Sequence, residues 1–246
     1  MKGRLFAVNR RAACWFTRAV RKLPAWLFPA RCRLCGDPAQ DGLCHPCLEE
    51  LPWLGRHCRQ CAQPLAATGA TLHCGRCQQR PPAFDHTRAT VLYQAPVDYL
   101  IRQLKYGQEL GLAPLLAGLF LQHAGPLSPL PDRLVPVPLH PARLRTRGFN
   151  QSAELARALG RALGVPVHHL CRRTRNTTPQ SRLPPVARRT NLRNAFELAH
   201  GSADGRIALV DDVMTSGQTA HELARVLKAG GAQTVEVWVI ARSGHP

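Results

Sequence analysis

Apolar and polar positions follow different patterns before and after about residue 85. Before this point apolar residues are sparse and cysteines recur in pairs. After it, short apolar runs alternate with segments whose apolar residues recur every three or four positions, the spacing of an amphipathic helix. We therefore predict a small cysteine-rich module over residues 31–80 and a larger domain of strands and helices over 85–246, with a basic extension at 1–30.

The larger domain is predicted to alternate strands with helices. Leu155, Leu159 and Leu163, for example, lie on one stripe of a predicted helix that stops at Gly164. The predicted strands are 89–93, 133–138, 165–170, 207–210 and 234–240, and the predicted helices are 96–106, 112–123, 150–163 and 219–228. This alternation favours an α/β fold with a largely parallel sheet flanked by helices. The arginine-rich segment between Cys171 and Ala195 is long for a connection, and such a segment is usually functional or mobile.

The cysteine-rich module contains four Cys-x-x-Cys doublets, separated by 8, 10 and 12 residues. Each doublet offers two thiolates to one ion, and tetrahedral zinc takes four, so the eight cysteines predict two structural zinc ions. Sequential pairing of the doublets closes the shorter loops and is favoured, but pairing of the first with the third and the second with the fourth also fits the spacing. The predicted ligands are Cys32, Cys35, Cys44, Cys47, Cys58, Cys61, Cys74 and Cys77.

The chain is strongly basic, with 33 Lys and Arg against 15 Asp and Glu and a formal net charge of +18. Two zinc ions with four thiolates each would lower this value to about +14. Such a charge favours a polyanionic partner, for which single-stranded DNA is a candidate, or an anionic substrate site in a basic shell. It carries no information about the fold.

The extension at 1–30 combines basic and aromatic residues, and three interpretations stay open for it. It lies on an anionic membrane surface, lies on nucleic acid, or packs on its own domain. No apolar run in the chain approaches the roughly 18 residues of a membrane span, and no signal-peptide pattern is present. We expect a cytoplasmic protein, with a peripheral position at the inner face of the membrane as the alternative.

The chemistry of the larger domain concentrates where the apolar strand 207–210 meets the following helix. In parallel sheets ligands bind beyond the carboxyl ends of the strands, and a glycine with free amides at a helix start suits a phosphate. Two adjacent carboxylates suit the vicinal hydroxyls of a sugar, so the segment predicts a ribose 5-phosphate site. The alternative is a strand end whose aspartates cap the helix. The predicted site residues are Asp211, Asp212, Val213, Thr215, Ser216, Gly217, Gln218 and Thr219.

Basic residues elsewhere are candidates for binding an anionic group of a ligand. Arg143, Arg145 and Arg147 form an alternating run suited to such a group, although a solvated basic loop has the same pattern. Further candidates, each equally explained as a surface residue, are Lys105, Arg175, Gln180 and Arg188.

Residues 210–219, Val-Asp-Asp-Val-Met-Thr-Ser-Gly-Gln-Thr, resemble the phosphoribosyl pyrophosphate motif of type I phosphoribosyltransferases, with Thr-Ser-Gly in place of Thr-Thr-Gly. From about residue 30 onward the chain resembles the ComF/GntX family, a double zinc ribbon joined to such a domain. Leu104-Lys105-Tyr106 and the run Arg-Gly-Phe-Asn-Gln-Ser at 147–152 are part of this resemblance.

The resemblance implies a type I phosphoribosyltransferase-like fold in which the two acids hold the ribose hydroxyls and 215–219 bind the 5-phosphate. It implies a pyrophosphate loop after Val137, where Arg143, Arg145 and Arg147 suit the departing pyrophosphate. It also implies a hood over 171–195, and magnesium bound together with phosphoribosyl pyrophosphate. It also implies a role in the uptake or use of external DNA, with other DNA-uptake proteins as partners. The alternative is an active phosphoribosyltransferase of nucleobase or nucleotide salvage, and the sequence does not identify its acceptor.

Overall fold

The computed structural model describes residues 30–39, 41–175, 194–199 and 201–244, and the chain divides into two compact units between Glu50 and Leu51. The first unit contains the first four ligand cysteines and the helix α1 (His45–Glu49). The second unit contains the other four, the helix α2 (Gly75–Gln79) and the whole α/β domain. The predicted extension at 1–30 lies outside the described residues, apart from its last residue.

The α/β domain is built on a four-stranded sheet in which every neighbouring pair is parallel, in the order β1-β6-β5-β2. Two further strands form a separate antiparallel pair, β3 with β4. The elements are β1 (His86–Leu92), α3 (Val97–Tyr106), α4 (Leu112–His123), β2 (Arg133–Pro136), α5 (Pro141–Arg147), α6 (Gln151–Leu163), β3 (Cys171–Arg173), β4 (Phe196–Leu198), β5 (Gly205–Met214), α7 (Gln218–Ala229) and β6 (Ala232–Arg242). The predicted α/β class and parallel sheet are confirmed.

The sheet is buried on both faces, which explains the nearly continuous apolar runs of its central strands. Residues 207–210 of β5 are each at most 1% exposed. Leu223 and Leu227 of α7 are fully buried, as are Leu155 and Leu159 of α6. The hydrophobic core thus fixes β5 firmly and holds the start of α7 next to its end.

Two segments of the α/β domain differ in structure from the sequence-based expectation, and α1, α2, β3 and β4 are further short elements that the pattern does not predict. Segment 165–170 forms only an isolated parallel bridge, Val167 with Leu134 of β2, because Pro166 has no amide to donate and the chain leaves the sheet edge after the bridge. The basic run 143–147 lies on the helix α5. His140 caps this helix by accepting from the amide of Ala142, and Gly148 ends it in the left-handed conformation at φ 82°.

Candidate functional site

The predicted sugar-phosphate residues lie at the carboxyl edge of the sheet. β5 continues past the apolar run to Met214, so both aspartates belong to the strand, and Asp211 lies opposite Val239 of β6. On the other side of β5, β2 ends at Pro136 opposite Val210, and the amide of Val137 donates to the Val210 carbonyl at 3.0 Å. The loop that follows β2 therefore begins beside the two acids.

A small cavity of about 30 Å³ marks the turn from β5 to α7. Its polar lining residues are Asp211, Thr215 and Thr219, and the rest of the lining is Gly217 and apolar residues that include Val213. Gly217 is the N-cap of α7 at φ 77°, and no side chain caps the helix there. The first turn of α7 therefore presents amide donors and the positive end of its dipole, the arrangement that binds phosphate.

Ser216 and Gln218 have local partners in this turn. The amide of Gln218 donates to Ser216 Oγ at 3.4 Å, and its side-chain amide donates to Glu222 Oε1 at the same distance. The turn is thus partly ordered by its own side chains.

The two aspartates have different surroundings. Asp211 accepts a hydrogen bond from Ser152 Oγ at 2.8 Å, and burial together with the neighbouring Asp212 raises its pKa to about 7. Asp212 is only 3% exposed and forms an ion pair with Lys105. Burial alone would raise the pKa of Asp212, but the attraction of Lys105 outweighs it and lowers that pKa. Of the two, Asp211 is the one that lines the cavity.

Ser152 and Asn150 were not among the predicted site residues, although both lie in the 147–152 motif. Asn150 caps α6 by accepting from the amide of Ser152 at 3.0 Å, and it also donates to the carbonyl of Val137 at 3.0 Å. One side chain thus fixes both the start of α6 and the loop after β2, while Ser152 holds Asp211. The sequence signal for both residues was the 147–152 motif, in which Asn150 has the residue type of a helix N-cap and Ser152 follows it in the first turn.

Several of the predicted basic residues come together beside the acids. Lys105, Arg143 and Arg147 line one cavity of about 400 Å³, and the guanidinium of Arg147 lies 5.1 Å from the ring centre of Tyr106. Arg145 is exposed on the same helix, and Arg175 is exposed just past β3. Gln180 and Arg188 lie outside the described residues, as does most of the predicted hood.

A larger cavity of about 740 Å³ lies between the start of α6 and the β3–β4 pair. Pro138 and Asn150 line it on one side, and Arg173 and Cys171 on the other. Burial and the neighbouring Arg143 lower the pKa of Arg173 to about 10, and Asp211 acts in the opposite direction. Burial raises the pKa of Cys171 to about 12, which makes its thiol a poor nucleophile.

The eight ligand cysteines form two clusters in chain order. Within each cluster the four sulfurs lie within 4.8 Å of one another, and Cys35–Cys44 and Cys61–Cys74 sulfurs are 3.4 and 3.6 Å apart. A tetrahedral site with Zn–S bonds of about 2.3 Å needs sulfurs about 3.8 Å apart, so both clusters fit a structural zinc ion. Sequential pairing is therefore confirmed: the clusters are Cys32, Cys35, Cys44 and Cys47, and Cys58, Cys61, Cys74 and Cys77.

Comparison with known proteins agrees with both regions of the chain. Residues 23–78 match a double zinc ribbon domain, and residues 145–246 match a phosphoribosyl transferase domain. A DNA utilization protein, YhgH of Salmonella typhi, is 37% identical over 224 residues, which cover 87% of this chain and 98% of that protein. The chain belongs to the ComF/GntX family.

Two other ComF/GntX relatives carry competence names. Competence protein F of Haemophilus influenzae is 33% identical over 217 residues, covering 83% of this chain and 92% of that protein. Competence protein ComFC of Bacillus subtilis is 38% identical over 118 residues, covering 46% of this chain and 47% of that protein. Among the described residues, no helix has the length and apolar character needed to span a bilayer.

Proposed function

We propose that this ComF/GntX protein binds phosphoribosyl pyrophosphate with magnesium at the β5–α7 turn, and that it serves the uptake or use of external DNA. The observation that carries the first part is the start of α7, whose N-cap residue is a glycine without a capping side chain. Gly217 opens the helix in a left-handed conformation, and two threonine hydroxyls and the Asp211 carboxylate line the same small cavity together with apolar residues of the sheet and turn. This combination supplies amide donors for a phosphate and an acceptor for sugar hydroxyls at one edge of the sheet.

In the proposed binding mode each part of the ligand meets a different part of the site. The 5-phosphate lies at 215–219, and the ribose hydroxyls lie at the acids, with Asp211 facing them and Asp212 held by Lys105. The pyrophosphate extends toward Arg143 and Arg147, whose positive charges suit it. Asp211 is also the carboxylate best placed for a magnesium ion, which proteins usually hold through one or two carboxylates together with substrate phosphates.

The proposed connection with DNA rests on two observations. The relatives named above are a DNA utilization protein and competence proteins, and this chain carries a formal charge of +18. Basic residues attract the nucleic acid backbone without reading its sequence, so we expect single-stranded DNA binding with little sequence preference.

A second candidate function is phosphoribosyl transfer, and the cavity of about 740 Å³ favours it. Its volume is in the range of small-molecule sites, and Asn150 and Pro138 connect it to the loop after β2. An acceptor there would form a bond to the anomeric carbon of the ribose as the bond to pyrophosphate breaks, with arginines stabilising the departing charge. Release of pyrophosphate in the presence of candidate nucleobases tests this reaction.

Calorimetric titration with phosphoribosyl pyrophosphate and magnesium tests the binding site. We compare wild type with Gly217→Ala and Gly164→Ala, since both glycines are left-handed, at φ 77° and 69°, and an added Cβ meets only ordinary contacts or open space. Each substitution should cost about 1–2 kcal/mol of stability through strain. Only Gly217→Ala displaces the helix amides, and it should weaken binding about tenfold or more.

Gly164→Ala is the matched control because Gly164 ends α6 and does not line the cavity at the turn. Equal affinity of the three proteins, or no binding by the wild type, would contradict the proposed site.

A further inference from the structure

The second cysteine cluster packs directly under the turn from β5 to α7. Cys58, Cys61 and Cys77 belong to the same hydrophobic core as Met214 and Ala220. Between the cluster and the sheet, the Gln60 carbonyl accepts from Thr87 Oγ1 at 2.8 Å, and the Arg59 carbonyl accepts from the Thr87 amide at 3.1 Å. The second cysteine cluster therefore packs against the α/β domain on the side of the β5–α7 turn, where the phosphate site is proposed.

Arg242 connects the cluster to the turn. Its side chain, at the end of β6, is 1% exposed, and it donates to the carbonyl of the ligand residue Cys61 at 2.9 Å. The same guanidinium donates to the carbonyls of Met214 and Thr215, at 3.1 and 2.6 Å, and to Gln63 Oε1 at 2.8 Å. It also donates to the carbonyl of Ser243. All five of these hydrogen bonds end on neutral oxygens.

A buried guanidinium is costly without a compensating negative charge nearby. Four thiolates around one zinc ion carry a net charge of −2, and Arg242 bonds to the backbone of one of these ligands. Loaded with zinc, the cluster would supply the negative charge that the neutral oxygens do not, and Arg242 would in turn stabilise the loaded cluster.

Arg76 holds the next peptide of the turn from the same side. It lies on α2 between two ligand cysteines, and it donates to the carbonyl of Ser216 at 2.9 Å. Three successive carbonyls, of residues 214–216, are therefore held by two arginines. In a trans peptide the N–H points opposite to the C=O. The hydrogen bonds to the carbonyls of residues 214–216 therefore direct the amides of residues 215–217 away from the two arginines.

We propose that the second metal cluster, through Arg242 and Arg76, orients the amides of residues 215–217 in the proposed phosphate site, so that zinc at this cluster controls ligand binding at the β5–α7 turn. The part about ligand binding rests on the proposed function; the orientation of the turn does not. Arg242 and Arg76 are positioning residues in this scheme, since they bond to the carbonyls of the turn and not to the proposed phosphate. The first cluster belongs to the other compact unit and provides an internal comparison.

Amide hydrogen exchange of the full-length, zinc-loaded protein tests the orientation without any ligand. Cys74→Ser weakens the second cluster and Cys35→Ser the first. We expect exchange in the peptide covering 214–220 to accelerate about tenfold for Cys74→Ser and to stay unchanged for Cys35→Ser. Arg242→Met should accelerate the same peptide and lower the zinc affinity of the second cluster by about 10–100-fold, and Arg242→Lys should restore part of both.

Arg88→Met is the control for loss of a partly buried arginine, because Arg88 pairs with Glu236 in the sheet and not with the turn. If Arg242→Met fails to fold, Arg76→Gln decides, since Arg76 is exposed and its loss should still accelerate exchange at the turn. Exchange at 214–220 that is unchanged in Cys74→Ser would overturn the proposal. If Arg242→Met does not fold, unchanged exchange at 214–220 in Arg76→Gln would overturn it as well.

Titration with phosphoribosyl pyrophosphate and magnesium separates this proposal from the proposed function. Binding to wild type that is lost in Cys74→Ser and kept in Cys35→Ser supports both. Equal binding by wild type and Cys74→Ser overturns the control of binding by zinc and leaves the proposed function standing. If the wild type does not bind while exchange responds to the second cluster, the proposed function fails and the orientation of the turn by zinc is supported.

Discussion

At the scale of single residues, the site is organised by two neighbouring carboxylates with opposite pKa shifts. Asp212 is held ionised by Lys105, whereas burial and the charge of Asp212 raise the pKa of Asp211 to about 7. Near neutral pH Asp211 is therefore about half protonated, while Asp212 stays ionised. A ligand cation or a magnesium ion at Asp211 would favour release of the Asp211 proton.

The raised pKa of Asp211 predicts a pH-dependent difference between wild type and Asp211→Asn. The folded protein binds this proton more tightly than the unfolded chain, so Asp211 lowers the free energy of unfolding as the pH rises from about 4 to about 7, with no further change above. Asparagine does not ionise, and its oxygen still accepts from Ser152. Urea unfolding at several pH values should show Asp211→Asn becoming relatively more stable across this window, by about 1–3 kcal/mol at pH 8.

Asp212→Asn is the control and should act in the opposite direction. It removes the partner of Lys105, whose side chain is 19% exposed, and should cost roughly 2–3 kcal/mol. A stability difference between wild type and Asp211→Asn that does not vary between pH 4 and pH 8 would contradict the shift.

The residues of the site that follow one another along the chain were predictable. Of the residues that reach it from a distance, Lys105 and Arg147 were candidates among many basic residues, and Arg242 was not predicted. In the sequence, an acid, two hydroxyl side chains and a glycine stand together between an apolar strand and a helix: Asp211, Thr215, Thr219 and Gly217. Arg242 lies 27 residues after Thr215, and nothing around it in the sequence distinguishes it from other arginines. Its role depends on the parallel pairing of β6 with β5, which places their ends together.

At the scale of elements, periodicity predicted the four long helices of the described residues, whose apolar faces are buried, and missed the three short ones, α1, α2 and α5. α4 begins and ends at the predicted residues, and α7 differs by one residue at each end. α5 has no buried residue, so its arginines showed no apolar stripe. β5 is longer than its apolar run because hydrogen bonding to β6 continues through Asp211 to Met214. Backbone pairing with β6 therefore makes β5 longer than its pattern of apolar side chains indicates.

The close approach of α6 to the bridging segment at Val167 predicts that Gly160→Ala is destabilising. An added Cβ would lie 2.7 Å from the carbonyl oxygen of Val165 and 3.0 Å from Val167 Cγ2. The helix would have to move away, at a cost of about 1–3 kcal/mol. Thermal or urea unfolding measures this cost.

Gly118→Ala in α4 is the matched control, since a Cβ there meets nothing within 4 Å. Its higher helix propensity should stabilise the protein by about 0.5–1 kcal/mol. A Gly160→Ala protein as stable as Gly118→Ala would show that α6 does not pack against Val165 as described.

At the scale of the whole molecule, metal and charge act together. The zinc clusters lower the formal charge of +18 to about +14, which leaves a strongly basic protein. Binding of pyrophosphate and binding of the DNA backbone draw on the same chemistry, because both ligands carry neighbouring negatively charged phosphate groups. Arg143 and Arg147, which share one cavity beside the acids, are therefore candidates for both.

This overlap predicts how single-stranded DNA binding responds to salt. Affinity should fall steeply with salt concentration, and the double variant Arg143→Gln/Arg147→Gln should reduce the slope of log affinity against log salt by about 1.4, at about 0.7 per phosphate contact. Arg80→Gln/Arg161→Gln removes the same charge from two exposed positions and should change the slope less. Phosphoribosyl pyrophosphate with magnesium should compete with the DNA in wild type. Fluorescence anisotropy of a labelled oligonucleotide measures all of these quantities, and a salt-independent affinity would exclude the electrostatic binding proposed for this protein.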